Sequence, residues 1–178
     1  MKILRDSEIN KEELFKIIPE LKVLESSPVN HPAHRYNILE HSLEAMKLTE
    51  NPILKIVLLL HDIGKPEHTH VDETGITRFW GHPKKSAELS EPILKRLRFD
   101  DDEISLMLIL IEYHDTPINT VEKMNDFVAQ HGIDTLGLLL EVQTADMATH
   151  AEWYAEIKMS QLKPIKKMYE MIRRGGTE

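Results

Sequence analysis

Apolar positions recur at intervals of three and four along almost the whole chain, the period of helices with one buried face. Cap and turn residues interrupt the pattern at short intervals. Asn10 with Glu13 is a capping-box pair ahead of Leu14, Phe15, Ile17 and Ile18, so a short first helix should end near Pro19. Ser26 to Pro32 reads as a loop. Asn37 with Glu40 repeats the pair and opens a second helix with apolar Ile38, Leu39, Leu43, Ala45, Met46 and Leu48; His41 lies one turn in. Asn51-Pro52 starts a third, whose closing run Ile56 to Leu60 is wholly apolar and must be buried. That helix runs into His61-Asp62 and is stopped by Gly64-Lys65-Pro66.

Residues 67–80 are the least helical stretch. A turn at Asp72-Glu73-Thr74-Gly75, between Val71 and the group Ile76, Thr77, Phe79 and Trp80, predicts a small irregular hairpin. His82-Pro83 opens a fourth helix ending near Leu97, and Asp100 with Glu103 caps a fifth that reaches Glu112 to Pro117. Thr120 to Gln130 is a sixth, with Gly132 as a left-handed C-cap. Asp134 caps a seventh through Leu136, Leu138, Leu139, Leu140 and Val142, and this helix carries Asp146. Trp153 to Arg173 is a last helix that Pro164 should kink or break, before a frayed tail from Gly175. No repeat, low-complexity segment or linker divides the chain. The expectation is an all-α fold: a single domain over 1–178, a bundle of about seven or eight helices with one short hairpin, its core at about 20–150 and a C-terminal helix at about 152–174.

Composition narrows the chemistry. The 178 residues, 41% hydrophobic and 29% charged, suit one soluble domain with a real core. A net charge of -8 opposes a dedicated nucleic-acid binder, although a local basic strip is compatible with it. Without cysteine there is no disulfide and no thiolate ligand, so any metal must be held by nitrogen and oxygen. Met1 to Ser7 carries no signal-peptide core, and the longest apolar stretch, Ile104 to Ile111, is too short to span a bilayer. A cytoplasmic protein with no membrane partner is expected.

The His61-Asp62 pair at the end of a buried helix poses a physical problem, because an unpaired charge in apolar surroundings costs several kcal/mol. His41 and Asp146, each on an apolar helix, are the residues available to answer it. Any one of them alone reads most simply as a satisfied core residue. Together, two imidazoles and two carboxylates favour a cation, and the donor set suits Zn²⁺, Mn²⁺ or Fe²⁺ better than Ca²⁺.

The order His41, His61-Asp62, Asp146 resembles the H…HD…D signature of the HD superfamily of metal-dependent phosphohydrolases, and His61 to Lys65 resembles its HDIGK variant. The resemblance covers about residues 20–150. Asn30 to Ser42 is similar to the start of the HD domain that follows the head of bacterial tRNA nucleotidyltransferases and poly(A) polymerases; that head is not in this sequence, so polymerisation is not implied. The resemblance implies a divalent metal (Fe, Mn, Zn, Ni or Mg), as one ion or two. His41, His61, Asp62 and Asp146 would ligate the first. Asp62 would bridge to a second ion held by His82 and His114, which resemble the extra histidines of two-metal members. Asp62 and Lys65 are then the catalytic residues, with Lys65 meeting a phosphate oxygen; the alternative for Lys65 is a helix C-terminal lysine serving the dipole.

Weaker candidates follow. Arg35 and His34 either line the mouth and contact phosphate or belong to an exposed loop. His150 should be a supporting or surface residue, His68 and His70 should be solvent-exposed, and Asp115 should orient His114. The acidic runs at Asp100 to Glu103 and Glu12-Glu13 read as solvated helix starts.

The function these residues imply is a metal-dependent phosphohydrolase cleaving a phosphomonoester or phosphodiester, of a small nucleotide, by metal-activated hydroxide. The alternatives are a helical RNA-associated module working with a separate nucleotidyltransferase, for which tRNA is the partner that net charge disfavours, and a nucleotide or metal sensor. Oligomeric state is left open.

Overall fold

A computed structural model describes residues 10–27 and 29–175. The residues before Asn10, where no signal-peptide core is expected, and the tail beyond Gly175 lie outside the described residues. The described chain is all-α, with nine α-helices and one two-stranded sheet among the described residues.

The caps form as the sequence requires. The Asn10 side chain accepts from the Glu12 amide at 2.9 Å and starts α1, Lys11–Ile17. A 3-10 turn at Pro19–Leu21 leads directly into α2, Lys22–Ser26, a single turn too short to carry its own periodic signature. Asn37 accepts from the Glu40 amide at 2.8 Å and opens α3, Ile38–Met46. Asn51 caps α4, Pro52–Leu60. A second 3-10 turn, Lys65–His68, precedes strands β1 (His70–Val71) and β2 (Thr77–Arg78). These pair antiparallel with His70 opposite Arg78. The remaining helices are α5 (His82–Arg96), α6 (Asp101–Tyr113), α7 (Val121–His131), α8 (Ile133–Ala148) and α9 (Glu152–Arg173).

Two expectations change. Helix α8 starts at Ile133, not at an Asp134 cap; Gly132 alone joins α7 to α8, at φ 86° and ψ 157°, a region that essentially only glycine reaches. Asp134 sits in the first turn, where it meets the helix dipole. Pro164 does not break α9, which continues to Arg173. Leu162 and Ile165 are buried on either side of it, and the carbonyl deprived of its partner belongs to exposed Ser160, where water can satisfy it.

Helix α4 is the centre of the bundle. Leu54 and Ile56 to Leu60 are fully enclosed, and the helix packs on α3, α6 and α8. Burial on all sides explains its uninterrupted apolar run, and each such side chain contributes about 1.5–3 kcal/mol. The C-terminal ends of α4 and α6, the N-terminal end of α5 and the middle of α3 meet α8 near Asp146. No helix among the described residues is long and apolar enough to cross a membrane.

The turn after α4 is pressed against the start of α5. A Cβ on Gly64 would lie 2.7 Å from the Ser86 amide nitrogen and 2.9 Å from the His82 carbonyl oxygen. The glycine is therefore required by close approach of two backbones, more than as a helix stop. Its amide donates to the Ser86 hydroxyl at 3.0 Å, fixing the α4 turn to α5.

Candidate metal centre

His61 and His114 solve the same local problem in the same way. They are the C-caps of α4 and α6, where helix carbonyls lack intrahelical partners. Each ring turns back and donates Nδ1–H to the carbonyl three residues earlier: His61 to Leu58 at 2.8 Å, His114 to Ile111 at 2.7 Å. His82, the first residue of α5, does likewise to the carbonyl of Phe79 at 2.8 Å. His41 donates Nδ1–H to the Thr149 hydroxyl at 2.9 Å, and that hydroxyl donates onward to the carbonyl of Asp146 at 2.7 Å. With Nδ1 engaged in every case, each ring presents Nε2 to one interior point, the arrangement that outer hydrogen bonds give to ligating imidazoles.

Two carboxylates receive these nitrogens. Asp62 Oδ2 lies 3.3 Å from Nε2 of His61 and 3.8 Å from Nε2 of His41. Asp62 Oδ1 faces the other way, 3.1 Å from Nε2 of His82 and 3.7 Å from Nε2 of His114. Asp146 Oδ1 lies 2.7 Å from Nε2 of His41 and 3.5 Å from Nε2 of His61. Thus His41, His61, Asp62 and Asp146 form one group, Asp62, His82 and His114 another, and Asp62 has one oxygen in each.

The electrostatics are those of a cation site. Burial opposes ionisation of Asp62 and Asp146, yet His61 and Lys65 outweigh it at Asp62, and His41 and His61 at Asp146, so both carboxyls are held well below the usual carboxylate range. Burial also opposes charge on His61, but its place between the two carboxylates raises its pKa to about 10. Burial and the neighbouring His61 push His114 down to about 3, so that ring is neutral. Burial likewise lowers His41 despite its bond to Asp146.

Several atoms are left in need of a cation. His61 Nε2 and Asp62 Oδ1 are fully buried and have no hydrogen-bond partner among the described residues; His61 is near both carboxylates but aligned on neither. His82 and His114 bring their Nε2 atoms to 3.2 Å. With both Nδ1 protons committed to carbonyls, Nε2 lone pairs would oppose one another at that distance unless an ion lay between them. Ligands at about 2.0–2.1 Å around a tetrahedral metal are separated by about 3.4 Å, close to what is found. The donor set therefore fits a divalent transition metal.

Lys65 is buried, with Nζ 2.6 Å from Asp62 Oδ2 and 5.2 Å from the centre of the Phe79 ring. It is an internal partner of Asp62, not a lysine serving only the helix dipole. Above the two groups opens a cleft of about 410 Å³, bordered by Asp62, Lys65, His82, His114 and Asp146 with His34, Trp80 and Tyr154 at its rim. His34 is half-buried, and desolvation lowers its pKa to about 3. Arg35 is exposed, packs on Tyr36 and does not border this cleft.

His150 is half-buried, as a supporting residue would be: it follows α8, donates Nδ1–H to the Asp146 carbonyl at 3.1 Å, and offers a ligand atom within 4.8 Å of those of His41 and Asp146. Other expectations are revised. His68 is half-buried and donates Nδ1–H to the Trp80 carbonyl at 2.7 Å, whereas His70 is exposed. Asp115 does not orient His114, because the Ile111 carbonyl holds that ring. Thr149, Ser86 and Gln143 were not foreseen. Gln143 donates to the Thr116 carbonyl at 2.9 Å and secures the turn behind His114. The available signals were a polar residue in the leucine-rich face of α8, and a hydroxyl three residues beyond Asp146.

A model of the HD domain matches residues 38–148, which contain both groups of donors. The chain belongs to the HD domain family. A stretch of 88 residues is 35% identical to an A-adding tRNA nucleotidyltransferase of Deinococcus radiodurans, covering 46% of this chain and 20% of that protein. This HD domain thus spans about a fifth of that relative's length.

Proposed function

We propose that this HD protein is a metal-dependent phosphohydrolase cleaving a phosphomonoester or phosphodiester of a small nucleotide. The observation that carries the reading is the position of Asp62, whose two oxygens face separate sets of histidine nitrogens beneath an open cleft. His41, His61, Asp62 and Asp146 would hold one divalent ion, and Asp62, His82 and His114 a second; Fe, Mn, Zn, Ni and Mg are the candidates. Such ions supply positive charge to a phosphoryl group and the acidity that makes water a nucleophile near neutral pH.

The chain's own residues do the positioning. Carbonyls of Leu58, Phe79 and Ile111 and the Thr149 hydroxyl hold the Nδ1 protons, so the four rings stay turned inward. Lys65, at the cleft edge beside Asp62, places a further positive group where a phosphate would gain negative charge in the transition state. No cysteine is present to serve as a nucleophile, and direct attack by water needs none. A cleft of about 410 Å³ suits a substrate of nucleotide size, and the net charge of -8 favours a small anion over a long polyanion.

A metal-supplemented screen of nucleotides and phosphodiesters, with Asp62→Ala as the blank, tests this. Phosphate ester cleavage by wild type and none by the variant supports it; equal rates refute it.

The A-adding tRNA nucleotidyltransferase relative favours a second reading, an RNA-associated helical module that works with a separate nucleotidyltransferase. It requires tRNA binding that falls steeply as salt rises, and absence of binding at low salt removes it. A nucleotide or metal sensor would bind in the same cleft without turnover.

A further inference from the structure

The geometry points to Trp80 as the seat of the substrate's nucleobase, which makes the ligand of this cleft a mononucleotide recognised at both ends, phosphate at Asp62 and base on the indole. This rests on reading the Asp62 centre as the phosphate end. Of the large apolar side chains exposed among the described residues, Trp80 is the one that borders the cleft, and at 68% it is also the most exposed. Beside a charged centre its ring offers apolar area and a π-face that a flat partner such as a nucleobase would take out of water.

The mounting of Trp80 is rigid. Asp72 accepts from the amides of Thr74 and Ile76, both at 3.0 Å, and from Nε of Arg78 at 3.0 Å, which closes the hairpin on itself. Thr77 ties β2 to the loop before α3: its hydroxyl accepts from the Asn30 amide at 2.9 Å and its own amide donates to the Asn30 carbonyl at 2.8 Å. The Trp80 carbonyl accepts from His68, and the His70 ring lies against the indole at 5.8 Å with the planes 28° apart. Gly81, at φ 85°, then turns the chain into α5.

This turn connects the two ends of the ligand. Phe79 lies against Lys65, His82 reaches Asp62, and Trp80 between them stays at the rim. A base stacked on a fixed aromatic contributes without regard to which base it is, since every base offers a π-face. Trp80 should therefore select nucleotides over base-free phosphoesters without strongly selecting among bases.

The chain has two tryptophans, Trp80 and Trp153, so Trp153→Phe leaves Trp80 as the sole indole. In that variant, with Zn²⁺ present and excitation on the red edge of the indole band, AMP should quench emission saturably, and ribose 5-phosphate should not. Trp80→Phe, which keeps Trp153, should show no AMP quenching. Absence of quenching by AMP, or equal quenching by ribose 5-phosphate, overturns the assignment. In turnover, Trp80→Ala should raise KM for a nucleotide by roughly tenfold or more while kcat stays within about twofold, with KM for ribose 5-phosphate unchanged. A KM rise shared by both compounds would overturn it as well. If wild type hydrolyses neither, the phosphohydrolase reading fails while the fluorescence titration still decides the role of Trp80.

Discussion

Nζ of Lys65 lies 2.6 Å from Oδ2 of Asp62, the same oxygen that faces His41 and His61. The lysine and a metal ion would therefore draw on one oxygen atom. Removing one partner of a buried pair leaves the other uncompensated, at about 3 kcal/mol. Lys65→Met should lower the melting temperature in EDTA, and divalent metal should restore more stability to the variant than to wild type. Thermal melts with and without metal check this. An equal metal-induced shift in both proteins would contradict it.

The absence of a side chain at Gly64 lets the start of α5 approach closely enough to place His82. Gly64→Ala forces a methyl group into the α5 backbone and should cost about 1–3 kcal/mol in denaturant unfolding. Because α5 must give way, the metal count should fall too, whereas Ser86→Ala should cost about 1 kcal/mol and keep its metal.

Thr149 acts on the centre through His41. Thr149→Val removes the acceptor of the His41 Nδ1 proton and should weaken metal binding by about 10–100-fold with the helical content unchanged. Thr149→Ser keeps the hydroxyl and should bind as wild type does. Competition with a metal-sensitive dye gives both affinities.

Glu20 and Arg96 provide the pH test away from the centre. Their paired contacts of 2.7 and 2.8 Å join the Pro19–Leu21 turn to α5 and lower the Glu20 pKa. A carboxyl with a lowered folded-state pKa contributes stability above its unfolded pKa and loses it as pH falls through the folded value. Both side chains are well exposed, so Glu20→Gln should cost less than about 1 kcal/mol at neutral pH. The difference from wild type should vanish as pH falls below the carboxylate range, as read from urea unfolding across pH.

Much of this architecture is written locally. Asn10, Asn37, Asn51, Asp100 and Thr120 each cap the helix that their spacing announces, because a cap depends only on the next three residues. The apolar run of α4 announces its central burial for the same reason. The donors His41, His61, Asp62 and Asp146 are legible as inward-facing residues of apolar helices. What the chain does not announce depends on contacts between distant segments. Gly64 reads as a helix stop until α5 is seen against it, and Thr149 reads as a helix-end residue until His41 is found 108 positions away. Pro164 misleads because packing of Leu162 and Ile165 overrides the local rule.

The central claim is that Asp62 joins two metal-binding groups, and the metal-to-protein ratio tests it most directly. Elemental analysis after metal loading should give two ions per chain for wild type, one for His82→Ala, and fewer than one for Asp62→Ala with its helices intact. A wild-type ratio that never exceeds one, or an Asp62→Ala protein that keeps both ions, would contradict it.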